Sequence, residues 1–129
     1  MSEIRATTIS NAAGTGPITM TGQYAAKAWV NFDGTGTVAI RQSGNVSSIT
    51  DGGAGVFAVN FTTAMVDINY SISINSSISF AVLNIFSPSL NTGSGGNEVA
   101  PTTTSCSMYI ATSNSSAFDP KYVNVAITR

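Results

Sequence analysis

The chain predicts an all-β fold: an antiparallel β-sandwich, jelly-roll-like, preceded by an extended N-terminal arm. Three observations carry this. Apolar and polar residues alternate with period two along most of the chain, and no segment sustains a 3.6-residue repeat. Short Gly- and Asp-rich breaks separate the alternating runs at strand-length intervals. Hydrophobic residues make up 43% of the 129 residues and charged residues only 9%. That is the reverse of a disordered composition, and the length suits one domain with a modest core.

The residues to about Gln23, with Gly14, Gly16 and Pro17, read as the arm (1–23), ahead of a single β-domain over 24–129. Trp29–Phe32 and Val38–Ile40 flank Asp33-Gly34-Thr35-Gly36, where glycine supplies positive φ, and this predicts a hairpin. Asp51-Gly52-Gly53 plays the same part between Val46–Ile49 and Phe57–Phe61, predicting a second. In that last run Phe57, Val59 and Phe61 alternate with Ala58, Asn60 and Thr62. Ile68, Tyr70, Ile72 and Ile74 then alternate with Asn69, Ser71, Ser73 and Asn75, predicting a strand with one buried face. Asn91 to Asn97 is rich in glycine and serine, and together with Pro101 and the threonines after it reads as an exposed loop. Cys106, Met108 and Ile110, and later Val123, Val125 and Ile127, each mark the buried face of a further strand.

Composition excludes several function classes. Arg5, Lys27, Arg41, Lys121 and Arg129 are scattered rather than clustered, so no nucleic-acid partner is expected. The longest apolar run, Phe80 to Phe86, is interrupted by Asn84 and is far short of the ~20 residues of a membrane helix. No membrane insertion is expected, and Glu3 and Arg5 argue against a secretory leader. The single cysteine, Cys106, reads as a small buried hydrophobe. A net charge of −1 leaves little repulsion between copies, which favours assembly. Ser, Thr and Asn, about a third of the chain, supply the polarity.

Catalytic chemistry has few candidates. Without histidine there is no Ser-His-Asp or Cys-His arrangement and no His-containing metal site. Asp33, Asp51 and Asp119 stand beside Gly or Pro, where a carboxylate serves as a turn former. Asp33-Gly34-Thr35-Gly36 has the wrong order for an aspartic protease, and Gly93-Ser94-Gly95-Gly96 lacks the lysine and context of a phosphate loop. No acidic run has calcium-loop spacing. Asn45, Asn60, Asn69, Asn75 and Asn114 each begin an Asn-x-Ser/Thr triplet, as chance allows in such a composition. The chain is therefore expected to be no enzyme and to use no cofactor or metal. Tyr24, Trp29, Tyr109 and Tyr122 are the aromatic candidates for stacking on carbohydrate; Trp29, between Val30 and other apolar residues, is expected in core or interface packing, and Tyr109 as an exposed contact.

Ala26 to Arg41, Asn45 to Asp51, Gly55 and Val59 to Met65 closely resemble a recurring β-rich module in virion proteins of tailed bacteriophages, especially those of marine bacteria and cyanobacteria. Tyr122 to Arg129 resembles the module's last strand, and Met1 to Arg5 is similar to the start of short structural proteins of such phages. The resemblance implies a non-enzymatic component on the virion exterior, commonly a homotrimer and often near the C-terminal end of a tail fibre. It implies partners among other tail or capsid proteins, reached through the N-terminal arm, and a host-surface glycan or protein. The module begins about 25 residues after Met1 with no long shaft before it, which brings a free-standing knob or capsid decoration protein into view beside a fibre tip. The expected contact residues lie in three loops and one strand: Asp51 and Gly53; Ser87, Asn91 and Asn97; Asn114 and Asp119; and Tyr109. A capsid cement protein, a free carbohydrate-binding sandwich and, last, a depolymerase are the rival readings.

Overall fold

A computed structural model describes residues 26–77, 100–111 and 116–129. Among these residues seven strands run in chain order: β1 (Ala26–Asp33), β2 (Ala39–Gly44), β3 (Val46–Asp51), β4 (Val56–Phe61), β5 (Ser71–Ser76), β6 (Ser105–Tyr109) and β7 (Val123–Thr128). No helix occurs among the described residues. The strands form two antiparallel sheets, one in the order β2-β1-β7-β5 and one in the order β3-β4-β6. Both expected hairpins are present, as β1–β2 and β3–β4. The late strands β7 and β6 lie beside the early strands β1 and β4, so both halves of the chain contribute to each sheet of the sandwich. The N-terminal arm and the loop of Ser87, Asn91 and Asn97 lie outside the described residues, as does Asn114.

Period two decides which side chains are inside. Ala28, Val30 and Phe32 of β1, Phe57, Val59 and Phe61 of β4, Cys106 and Met108 of β6, and Val123, Val125 and Ile127 of β7 form one buried cluster between the sheets. Two edge-to-face aromatic pairs cross the interface: Phe32 on Phe57 at 5.2 Å between ring centres, and Phe61 on Tyr70 at 5.9 Å. Full burial of each phenylalanine is worth about 2–3 kcal/mol from transfer out of water. The Tyr70 hydroxyl donates to the Thr102 carbonyl at 2.8 Å and so fixes the approach to β6.

Two expectations need correction. The strand predicted to start near Ile68 starts at Ser71, and Ile68 is 48% exposed. Asp67 accepts the Asn69 N–H at 2.8 Å, and this turn consumes the residues that alternation alone assigns to the strand. Of the core or interface packing expected for Trp29, the core is excluded. The neighbours Ala28 and Val30 take the inward positions, and the indole stands 41% exposed on the outer face of the four-stranded sheet.

The passage from one sheet to the other is made by Asn45, alone between β2 and β3, with φ at +55°. Its Nδ2 donates to the Lys27 carbonyl at 3.0 Å and the Thr63 carbonyl at 3.1 Å, and its Oδ1 accepts the Thr63 N–H at 2.7 Å. Asn45→Gly keeps the backbone and loses these three bonds, an expected cost of about 1–3 kcal/mol. Asn45→Ala adds left-handed strain of about 1 kcal/mol or more. Urea denaturation of the two variants should rank wild type above Gly above Ala; equal stabilities of Gly and Ala variants would show that φ is unimportant there.

Candidate functional site

The sandwich has two distinct ends. β1 and β5 run from one end to the other, so Ala26 and Ser71 lie at what we term the base. Thr128 pairs with both residues and marks the base as well. The opposite end, the tip, carries the β1–β2 turn, the β3–β4 turn and the segment leading from β6 to β7.

Two of the three expected contact loops meet at the tip. The Asp51 carboxylate accepts the Gly53 N–H at 2.9 Å, and the Val56 N–H returns to the Gly53 carbonyl at 2.8 Å, closing the β3–β4 turn. Asp51 and Gly53 are exposed. Gly55, with φ at +69°, is buried at the foot of this turn, where a Cβ would stand 2.1 Å from the Ile110 carbonyl oxygen. Its N–H donates to Asp119 Oδ1 at 2.7 Å, and its carbonyl accepts the Ile110 N–H at 2.8 Å. Asp119 is therefore not the local turn former that its neighbour Pro120 suggests. It clamps the loop before β7 onto a turn 64 residues away. Gly34 completes the tip by donating its N–H to the Pro120 carbonyl at 2.9 Å. Tyr109, expected as an exposed contact, is half-buried where it pairs with Val56.

All four described aspartates accept a backbone N–H. Asp33, Asp51 and Asp67 do so from the residue two positions on, and Asp119 across the fold. Asp33 also accepts the Thr35 hydroxyl at 2.6 Å and an Arg41 N–H at 2.7 Å. The Thr35 bonds, with a smaller pull from Arg41, hold its carboxyl below the usual range. Asp67 pairs with Arg129 at the base. No cluster of three metal-ligating side chains occurs among the described residues. The Cys106 thiol is buried, which pushes its pKa up to about 12; burial, with a smaller contribution from Cys106, does the same for Tyr70.

The outer face of the four-stranded sheet is the feature that alternation could have located and local sequence did not. Gln42, Asn31, Asn124 and Asn75 pair in register as one row across all four strands, and Asn31 Nδ2 donates to Asn124 Oδ1. The adjacent row is Gly44, Trp29, Ala126 and Ser73. The pyrrole edge of the indole lies directly over Gly44, where any Cβ would collide with Nε1 at 2.4 Å. A second exposed ring, Tyr122, sits toward the tip with the Arg41 guanidinium 4.3 Å from its centre.

No protein-family model matches the chain, and neither curated proteins nor solved structures contain a match to it.

Gly55→Ala should be among the most damaging single changes, since it combines a left-handed φ with a backbone collision; a loss above about 3 kcal/mol is expected. Asp119→Ala should cost about 1.5–3 kcal/mol and Asp119→Asn less, because the amide oxygen can still accept the Gly55 N–H. Thermal melts of the three variants check this order. The folded chain should leave Cys106 unmodified by a thiol reagent at pH 8 and react fully in denaturant. Stability should fall as pH rises from the unfolded thiol and phenol range toward 12, since only the unfolded state ionises there.

Proposed function

We propose that the chain is a non-enzymatic structural protein on the exterior of a tailed-phage virion, working as a fibre- or knob-like module of host adhesion. The observation that carries this reading is the polarity of the sandwich. Residues 1–25 join β1 at the base, while the turns around Asp51–Gly55 and the approach to β7 gather at the tip. Eight residues of β1, at ~3.3 Å each, separate them by roughly 25 Å. An arm at the base can hold the module on the particle and leave the tip and the sheet faces turned outward.

The likeness of Ala26–Met65 and Tyr122–Arg129 to phage virion modules supports the same reading, as does the low charge, which suits association of copies. As a homotrimer the module would repeat each contact three times around one axis. Weak contacts then gain strength through high effective concentration, without any single tight site. A head-shell decoration protein would instead use base and arm against capsid subunits.

Purified protein added to host cells should reduce adsorption of the parent phage in a dose-dependent way, and antibody labelling should mark the tail. Unimpeded adsorption together with label spread over the head would overturn adhesion in favour of decoration. Light scattering at micromolar concentration should give three times the monomer mass.

A further inference from the structure

We propose that the outer face of the four-stranded sheet is a binding site for an uncharged glycan chain, with Trp29 as its stacking platform and the Asn31–Asn124–Asn75 amides as its polar row. The source of the glycan, a host surface, rests on the adhesion reading above; the site itself rests on the geometry of this face.

A sugar ring presents an apolar C–H face and a rim of hydroxyls that both donate and accept. Its receptor needs an exposed aromatic surface beside groups that can also do both. In a chain without histidine, carboxamides, hydroxyls and backbone groups are what meet the second requirement without charge. The described outer face supplies both within one shallow groove of about 250 Å³, whose lining includes Trp29, Asn31, Ser73, Asn75 and Asn124 beside the apolar Val30, Val125 and Ala126. The row of three amides, at ~4.8 Å per strand, is roughly 10 Å long, enough to follow two linked sugars. The Trp29 row lies two residues along the strands, about 7 Å away. A ring stacked on the indole would therefore have its hydroxyl edge toward Asn31 and Asn124.

Three details suit this occupant. Ala126 and Ser73 are small, so the groove floor beside the indole stays open. Gly44 gives the indole room over β2, which lets the ring lie against the sheet. The Asn31–Asn124 bond sets the two amides relative to each other and leaves further donor hydrogens and lone pairs on both.

Charge discriminates among ligands. Among the described residues, no ionisable side chain lines the groove. Asp33 and Arg41 pair with each other nearer the tip, and Lys27 stands nearer the base. An acidic polysaccharide would find no cation within the groove. A second copy of the chain is a poor occupant, because a stable interface buries roughly 800 Å² per partner around an apolar centre. Here only Trp29 and Ala126 are apolar among the outward residues of the two rows, and the rest are amides, a hydroxyl and Gly44.

Trp29 is the one tryptophan of the chain, so its fluorescence reports this face alone. The full-length protein is titrated with neutral hexasaccharides of glucose (α- and β-linked), mannose, galactose, xylose and N-acetylglucosamine, and with oligogalacturonate as the acidic control. The expected result is a saturable emission change with at least one neutral sugar, at a Kd of about 1 mM or tighter. Asn31→Ala and Asn124→Ala, with melting temperatures near wild type, should each weaken it about tenfold while keeping the fluorophore. Acrylamide should quench Trp29 in the free protein, and the bound sugar should protect it.

The site is overturned if no neutral sugar changes the emission at 10 mM, if only the acidic control does, or if the amide variants bind as wild type. Absence of acrylamide quenching would also overturn it, since the face would then be covered by residues 1–25 or by another copy. Adsorption assays separate this from the adhesion reading. If wild type and Trp29→Ala compete equally with phage and no sugar changes the emission, adhesion stands and this site falls. If wild type binds sugar but never competes, the site stands and adhesion falls.

Discussion

Between Gly44 and Val46 the chain leaves the four-stranded sheet and enters the three-stranded one, and Asn45 is the whole connection. A left-handed residue reverses the strand direction enough to step across, and asparagine accepts that conformation more readily than any other residue with a Cβ capable of these bonds. The amide then occupies three backbone groups from two different places. Lys27 is the extra residue of a bulge between β1 and β7, so its carbonyl falls outside the regular ladder, and the Asn45 amide pairs with it. Thr63, just past β4, has both its N–H and its carbonyl held by the same side chain. One residue thus spaces the sheets, satisfies a bulge and closes the end of β4.

Much else follows from that corner. Among the described strands, β2 and β3 are consecutive yet stand at the edges of different sheets, and both edges lie along one flank. Each carries a bulge: Arg41 is the extra residue on β2 and Ser47 on β3. Bulged, polar edges pair poorly with strands of other molecules, which protects this flank from unwanted sheet extension. The Arg41 bulge also carries the guanidinium toward Asp33 and over Tyr122, joining the β1–β2 turn to the start of β7. The tip is stiffened without a large core, through single hydrogen bonds at Asp51, Gly55, Asp119 and Gly34.

The fold was largely legible because burial between two sheets imposes period two. Val123, Val125 and Ile127, or Phe57, Val59 and Phe61, can be read as inward-facing without any structure. The two hairpins were legible because Asp-Gly turns carry their own hydrogen bond, as at Asp33 and Asp51. What escaped was anything set by parity at one position or by contact over long separations. Trp29 has apolar neighbours on both sides, and its exposure depends on which alternate set faces the core. Asp119 looks like a turn residue until its partner, Gly55, is seen 64 residues away. The Asn45 triplet reads as a chance glycosylation signal, whereas the amide is already engaged by three backbone groups.

The same parity separates stability from recognition. Inward positions of β1, β5 and β7 hold the sandwich together, and a change there carries a cavity cost of about 1–5 kcal/mol. Outward positions on those strands leave the core undisturbed, so most substitutions there fall within about 0.5 kcal/mol. A scaffold of this kind can exchange amides and hydroxyls on one face without disturbing the core beneath. Trp29 is the exception, because its indole needs Gly44 to lie where it does. A side chain at Gly44 would displace the ring before it disturbed the sheet. The pairing of a bulky exposed aromatic with a glycine on the next strand therefore ties the shape of this face to two positions, while the rest of the row remains free to vary.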